Sequence, residues 1–406
     1  AAGRTATFTF KSGLISAIAL PGGRTMSYTY AGDRLEKVTS PGGRLTEYNY
    51  DLSSGRMTSK KHAEVTIITQ TYRADGRVGT QTTAKGTFTY DYQSNGTRGV
   101  DGGDVVTTVT SPEGRMTRDY YLGFVLQRHD EAGGRTTTYF WDAANNLVRQ
   151  TDSMGRTTRF EYNSAGDRTR TTLANGQGTT STFVRRGLPT RVEFSKPGQQ
   201  TFTTGYTYFD GSTQVKTSTV AAGTPQAATT SFSYDSRGRL KTATNALGKT
   251  TSYTYDESSD QVDTVTDPMG HTTSFDSDDA TGLLTAVTDA DGHTTKTEYD
   301  RDGYPKTVTG PTGGKTTTTY DGAGRLATVT DPAGLTTSYG YRYDSALVTV
   351  TRPDGTVITQ TFDSEQRMLT QQLGSPTNPA GHGHQASWGY DSTSGLQTSV
   401  TNNQGL

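Results

Sequence analysis

Residues Asp321 to Tyr343 read DGAGRLATVTDPAGLTTSYGYRY and hold two turn signals separated by strand-forming runs. In Asp321-Gly322-Ala323-Gly324 an Asp opens the turn and a Gly stands fourth. Asp331-Pro332-Ala333-Gly334 adds a Pro in second place. This order is the preference of a type I turn: the Asp side chain accepts from the backbone, Pro presets φ, and Gly takes the left-handed residue that closes the loop. The runs between the turns are rich in Thr, Val, Tyr and Leu, and the first three are strand formers. One such unit is a β-hairpin.

The unit recurs along the whole chain. Aromatic anchors stand at Phe10, Tyr30, Tyr50, Tyr72, Tyr90, Tyr121, Trp141, Tyr162, Phe183, Phe209, Tyr234, Tyr255, Phe275, Tyr299, Tyr320, Tyr343, Phe362 and Tyr390, mostly 18–26 residues apart. Asp follows directly in Tyr50-Asp51, Tyr90-Asp91, Trp141-Asp142, Tyr234-Asp235, Tyr255-Asp256, Phe275-Asp276, Tyr299-Asp300, Tyr320-Asp321, Tyr343-Asp344, Phe362-Asp363 and Tyr390-Asp391. Pro-Gly turns recur after Ser40, Ser111, Asp267 and Gly310. Eighteen hairpins predict on the order of 36 strands, with two per repeat.

Within a strand such as Lys249–Tyr255, Tyr253 and Tyr255 share one parity and Thr250, Ser252 and Thr254 the other. Period two places rings on one face and small hydroxyls mainly on the other. Stacked ring pairs, each contributing about 0.2–1 kcal/mol, replace a conventional aliphatic core. The array is expected to run as one unit over 1–406, with looser loops near 171–232 and 374–384.

Composition agrees. Of 406 residues only 30% are AVILMFWYC, about a fifth are Thr, 48 are Gly and 23 are Tyr. Thr, Gly and Tyr are poor helix formers, which makes a large helical protein a poor reading. No 18-residue apolar run exists to cross a membrane as a helix. Net charge is -1, with 39 basic and 40 acidic residues spread evenly, so no basic excess points to nucleic acid. With no Cys there are no disulfides and no thiolate-held metal. The opening AAGRTATFTF has neither a basic start nor an apolar stretch and already reads as repeat, as expected of a mature or excised segment.

The unit YDxxGRLxxVTDPxGxxTxYxYD, as in Tyr234–Leu240 and Tyr320–Leu326, resembles the YD repeat of the RHS family. That family includes bacterial RHS and wall-associated toxins, the C component of insecticidal toxin complexes, and the teneurins. The resemblance covers essentially the whole chain. It implies an all-β, continuous spiralling antiparallel sheet of hairpins that forms a hollow barrel or partial shell. In the toxins such a shell encloses a C-terminal effector; in teneurins it is an adhesion scaffold. The motif that closes the family's shells is not found among these residues. Asp331-Pro332-Ala333-Gly334-Leu335 resembles part of it but lies inside an ordinary repeat, so the self-cleaving aspartates of that core are assigned to no residue here.

Several side chains invite a chemical reading. The YD aspartates could serve glycoside hydrolysis, which needs two carboxyls roughly 5–10 Å apart. A turn cap in every repeat explains eleven copies better. His271 and His293 occupy one column of successive repeats, about 9–10 Å apart across two strand spacings, too far to share a metal. His382 and His384 lack a third ligand in sequence. Asp101–Asp104 and Asp276–Ala280 are acidic loops without EF-hand spacing. Arg and Lys beside the turns could hold anionic glycans, or pack their stems on Tyr rings with the heads in water.

The resemblance implies a shell wall, and the residues add no expectation of catalysis, metal or cofactor. Its structural anchors are the Tyr/Trp–Asp pairs 50/51, 90/91, 141/142, 234/235, 255/256, 299/300, 320/321, 343/344 and 390/391. The expected partner is an effector domain carried elsewhere in the parent chain, with cell-surface glycans or proteins as a second possibility, in a secreted or cell-surface setting. An extracellular adhesin or glycan-binding scaffold is the alternative reading, and a polysaccharide-acting enzyme a third.

Overall fold

The computed structural model describes residues 4–63, 65–93, 105–122, 124–342, 347–363, 366–374, 385–391 and 396–402. Among them there is no helix, and 36 strands form one sheet, from β1 (Thr7–Lys11) to β36 (Gln397–Asn402) in chain order. Each strand pairs antiparallel with its neighbours in sequence: β1 with β2 (Leu14–Leu20), β2 with β3 (Arg24–Ala31), β3 with β4 (Arg34–Thr39), and so on to the end. The predicted all-β meander is what the chain forms. Residues 168–234 continue it as six strands, joined by longer connections at 196–201, 209–214 and 221–227. The loop expected near 374–384 begins where β34 (Met368–Gly374) ends; residues 375–384 lie outside the described residues.

A meander has two edges of turns. Connections after odd-numbered strands, such as Asp321–Arg325, form one edge, and those after even-numbered strands, such as Asp331–Leu335, the other. Both are built alike. Asp321 N–H donates to Arg325 O at 2.8 Å and Gly324 N–H to Asp321 O at 3.0 Å; Asp331 and Gly334 repeat this at 3.0 and 2.9 Å. Gly324 and Gly334 sit at φ +80° and +83°, which a side chain would strain. This is a type I turn closed by a left-handed residue, the three-residue hairpin loop.

The odd edge carries a second device. In β29 (Lys315–Tyr320) Thr319 pairs with Thr328 but Tyr320 pairs with Leu326, leaving Ala327 as an extra residue. The same register shift stands at the end of β3, β5 (Leu45–Tyr50), β23 (Thr250–Tyr255) and β27 (Thr294–Tyr299). A bulge bends its strand and increases local twist. A bulge in most hairpins therefore curls the sheet along its length.

The predicted two-faced strand is also observed. Tyr253 opposes Val265, which opposes Thr273, and Phe275 opposes Val287, on one face. On the other face hydroxyls pair across strands: Thr254–Thr264 at 2.7 Å, Thr266–Thr272 at 2.8 Å and Thr288–Thr294 at 2.8 Å. Only Val106, Ala286 and Val357 among apolar residues, and Thr203, Ser259 and Thr307 among polar ones, are buried in the described part. This is a single layer, held by its ladder and its ring rows rather than by a core between two layers.

The curl brings the chain back onto itself. Turns of the even edge near the N-terminus touch turns of the odd edge 255 to 262 residues later, as in Arg4 to Ser259 and Ser40 to Asp302. The connection between β4 and β5 meets the one between β27 and β28 (Pro305–Thr309), so one coil takes 23 strands. At ~4.8 Å per strand the circumference is about 110 Å and the diameter about 35 Å, before strand tilt. Sheets closing at 16 strands or more are too wide for their side chains to fill. The fold is thus an open spiral wall whose successive coils meet turn to turn.

Candidate functional site

The anchor rings hold neighbouring hairpins together through their polar tips. Tyr50 donates its hydroxyl to Leu35 O at 2.8 Å, Tyr234 to Val215 O at 3.0 Å, Tyr255 to Leu240 O at 2.8 Å, Tyr299 to Leu284 O at 2.7 Å, Tyr320 to Pro305 O at 2.9 Å and Tyr390 to Met368 O at 3.0 Å. Trp141 does the same with its indole N–H, to Leu126 O at 2.7 Å. Each acceptor belongs to the residue facing the bulge of the preceding hairpin: Leu240 faces Tyr234, and Tyr255 donates to Leu240. A carbonyl at the bulge of one repeat is thereby satisfied by the ring of the next.

Two predicted anchors differ. Tyr90 lies inside β9 (Gly86–Gln93), opposite Val109 and without a bulge, because this strand runs three residues further than the repeat pattern. Tyr343 and Asp344 lie outside the described residues; the bulged position of that repeat is held by Tyr341, opposite Leu347. The spacing rule also slips at Phe209 and Phe275, where Tyr208 and Ser277 occupy the bulged position.

Most YD carboxylates cap their turns. Asp235 Oδ1 accepts from the Arg237 and Arg239 amides, both at 2.9 Å, and Asp321 Oδ1 from those of Ala323 and Arg325, both at 2.9 Å. Asp142 takes the amides of Ala144 and Asn146, and Asp300 those of Asp302 and Tyr304. Asp51 and Asp256 accept from Ser53 and Ser258 hydroxyls, each at 2.6 Å, and from the next amide. The Asp391 amide closes its turn on Leu396 O. Asp91 is an exception: it sits within β9 opposite Thr108 and pairs with Arg73 at 2.6 Å. Asp276 likewise lies in a strand, and the cap passes to Asp278.

In the turns opened by Asp235, Asp321 and Asp363 the second carboxylate oxygen grips the Arg that ends the turn, and that Arg lies over a ring of the next repeat. Arg239 Nε meets Asp235 Oδ2 at 2.7 Å, with its guanidinium 4.7 Å from the Tyr255 centroid. Arg325 and Arg367 repeat this against Asp321 and Asp363, 4.8 Å from Tyr341 and 4.5 Å from Tyr390. The expected row of Arg on Tyr is present, with its heads held by the caps. These bonds favour the ionised carboxyl. The Ser53 hydroxyl, with the Ser54 amide, pushes Asp51 down to about 2, and the Ser258 hydroxyl, with the Ser259 amide, does the same for Asp256. A general acid at neutral pH needs the opposite shift.

A pH prediction follows with its sign. These carboxylates titrate lower folded than unfolded, where Asp sits near 3.9. Their contribution is complete above pH ~4 and is lost as pH falls towards 2. Thermal melts followed by circular dichroism should fall steeply between those values. A shallow limb starting near pH 6.5 belongs to His62, whose charged form is disfavoured by burial and by Lys60 and Arg325. A profile that loses no stability between pH 4 and 2 is incompatible with the caps.

Where coils meet, the caps acquire a second role. Asp302 Oδ1 accepts from the Gly42 amide at 2.8 Å and Oδ2 from the Ser40 hydroxyl at 3.2 Å, and Asp302 pairs with Arg44. Arg44 also reaches Asp300 at 3.0 Å and lies 4.7 Å from the Tyr304 ring centroid. The Asp302 side chain is 7% exposed and that of Arg44 20%, so this pair is largely removed from water. Further along, Arg4 donates to Ser259 O at 2.8 Å, and a Cβ on Gly22 would strike the Thr281 methyl. Grooves of about 490 Å³ flank Arg24 with Asp278 and Arg44 with Asp302, both clefts between coils. Sequence reading found Asp300 as an anchor but missed Ser40, Gly42, Arg44 and Asp302. Their pairing spans twelve repeats and leaves no periodic trace.

The histidine columns do not converge. His271 Nδ1 lies 2.9 Å from Asp267 Oδ2 and His293 Nδ1 3.2 Å from Asp289 Oδ2, each in its own turn. Asp289, Asp291 and His293 place ligand atoms within 4.8 Å of one another, but Asp289 already accepts from both backbone amides of its turn. In the acidic stretch 276–280, Asp278 caps a turn and Asp279 accepts from Ser258. His382, His384 and Asp101–Asp104 lie outside the described residues. No helix among the described residues is long and apolar enough to cross a membrane.

The RHS Repeat family profile matches residues 141–177 and 234–272, and the Teneurin YD-shell profile residues 269–405. No curated protein matches the chain. Solved structures resemble this chain at low identity and low TM-score. TcdB2–TccC3 without its hypervariable C-terminal region is 13% identical, with a TM-score of 0.43, over 97% of this chain and 27% of that one. The Photorhabdus luminescens Tc holotoxin pore gives 13%, 0.42, 97% and 27%. TcdB2–TccC3 gives 11%, 0.41, 98% and 29%. This chain spans between a quarter and a third of the length of those chains.

Proposed function

Because this chain is built of RHS/YD repeats, we propose that it is a non-catalytic wall segment of a secreted or cell-surface shell that encloses or displays an effector carried elsewhere in its parent polypeptide. The observation that carries this reading is the seam between coils. A hairpin ribbon whose turns merely pointed into water would leave gaps as it spirals. Here Ser40, Gly42 and Arg44 engage Asp300 and Asp302, so one coil abuts the next. The mechanism is exclusion: a wall whose coils abut keeps proteases and bulk contacts from what lies behind it. The turn caps support the same role, since their carboxylates are committed to structure. So does the hydroxyl face, which offers hydrogen bonds already exchanged between Thr pairs rather than a sticky apolar lining.

Limited proteolysis of the parent polypeptide tests it. A segment outside the repeats should survive protease in the wild-type chain and be cut in a chain carrying Arg44→Ala with Asp302→Ala. Equal cleavage of that segment in both chains contradicts enclosure.

A further inference from the structure

On the hydroxyl face, one register position recurs wherever an even-numbered strand pairs with the next odd one. It holds Thr242–Ser252, Thr264–Ser274, Thr307–Thr317, Thr328–Ser338 and Thr349–Thr359, all neutral. Where charge enters early in the chain, Lys37 faces Glu47, and their side chains meet at 3.1 Å. Between β14 (Leu147–Asp152) and β15 (Thr157–Tyr162) the position instead opposes two cations, Arg149 and Arg159. Cross-strand partners share a face with Cβ atoms about 5 Å apart, and like charges there are destabilising.

Nearby arginines are neutralised: Arg128 by Asp130 at 2.7 Å and Arg191 by Glu193 at 2.6 Å. Among the described residues Arg170 pairs with Glu161 alone, at 3.9 Å, with both side chains more than half exposed. Arg149 and Arg159 have no carboxylate among the described residues. Arg149 is instead parked on Phe140, 3.5 Å from the ring centroid, and its Nε is buried without a hydrogen-bond partner. Arg159 is exposed beside it. Arg149, Arg159 and Arg170 against Glu161 leave a local excess of two positive charges. The two arginines are cross-strand neighbours on one face, Arg149 turned onto the Phe140 ring and Arg159 exposed, and both carry planar donor forks of the kind that hold a two-oxygen anion.

We propose that Arg149 and Arg159 form a binding site for an oxyanion, a carboxylate, sulfate or phosphate group of an acidic ligand, on the hydroxyl face of the wall. The bound anion takes the unpaired guanidinium donors and cancels the repulsion across the β14–β15 ladder. Phe140 sets the orientation of Arg149, and Arg159 is the movable half of the grip.

The test is calorimetric titration of the purified chain with sodium sulfate, sodium phosphate and sodium succinate, each at constant ionic strength; the three anions distinguish the oxyanion source. Arg159→Thr introduces the residue type that equivalent repeats carry, so the strand register is preserved. Saturable binding of at least one anion to the wild type, weakened about tenfold in Arg159→Thr, is expected. In anion-poor, low-salt buffer Arg159→Thr should melt no lower than the wild type, because it removes like-charge repulsion. A non-saturating response in the wild type, equal affinity in both chains, or a variant that melts lower in that buffer overturns the site.

Discussion

Arg44→Ala should destabilise the chain by about 3 kcal/mol, because it strands a largely buried carboxylate rather than merely deleting a surface pair. Asp302 keeps its bonds from Gly42 and Ser40 but loses its cation, and Asp300 loses its partner across the seam. Asp302→Ala removes the stranded charge as well, so the double variant should lose less than the sum of the two single ones. Hydrogen exchange localises the effect. Protection of residues 40–44 and 300–304 should fall together although they lie about 260 residues apart, while a hairpin far from the seam such as 147–162 stays protected. Exchange that rises only at 40–44 contradicts a coil-to-coil contact. Breaking exposed ion pairs elsewhere, such as Arg156 with Asp152 at 66% exposure of the Arg side chain, should leave the melting temperature nearly unchanged.

Tyr255→Ala is expected to cost about 3 kcal/mol. The ring is packed in its row, its hydroxyl satisfies Leu240 O, and Arg239 lies over its face. Tyr255→Phe separates these contributions: it keeps the ring and leaves one carbonyl unpaired, costing about 1 kcal/mol. Repeat arrays unfold by neighbour-coupled units. The Ala variant should therefore give an early melting step confined to hairpins around 234–266, visible as local protease sensitivity before the main transition. A variant that melts in one step at the wild-type temperature refutes a structural role for the anchor rings. Tyr90→Phe, in mid-strand without a bulge, should cost less than Tyr255→Phe, because its hydroxyl closes no bulge carbonyl among the described residues.

The two predictions differ in how far they could be foreseen. The Tyr255 ring was legible because hairpins are local: turn chemistry, period-two alternation and the ring spacing all lie within about twenty residues. The turn capping by Asp235 and Asp321 followed from the same local preferences. The bulge was not read, although a signal exists: a Leu, Val, Pro or Met regularly faces the anchor, as Leu240, Val215, Pro305 and Met368 do. At Phe209 and Tyr343 a neighbouring aromatic, Tyr208 or Tyr341, takes the bulged place because alternating rings compete for it in the pattern, whereas at Phe275 the bulged place falls on Ser277, which carries no ring.

Amino-acid order alone established the secondary structure, the repeat, the class of sheet and the division of its two faces, since each depends on interactions between residues close in the chain or one strand apart. Only folding in three dimensions settled how tightly the ribbon coils and which turns touch after 23 strands. The radius is the sum of many small bends at successive bulges. A contact such as Arg44 with Asp302 exists solely because that sum returns the ribbon to within reach of itself. The facing of Arg149 and Arg159 is intermediate: both residues were visible, but their register is set by the turn between them and the bulge before it.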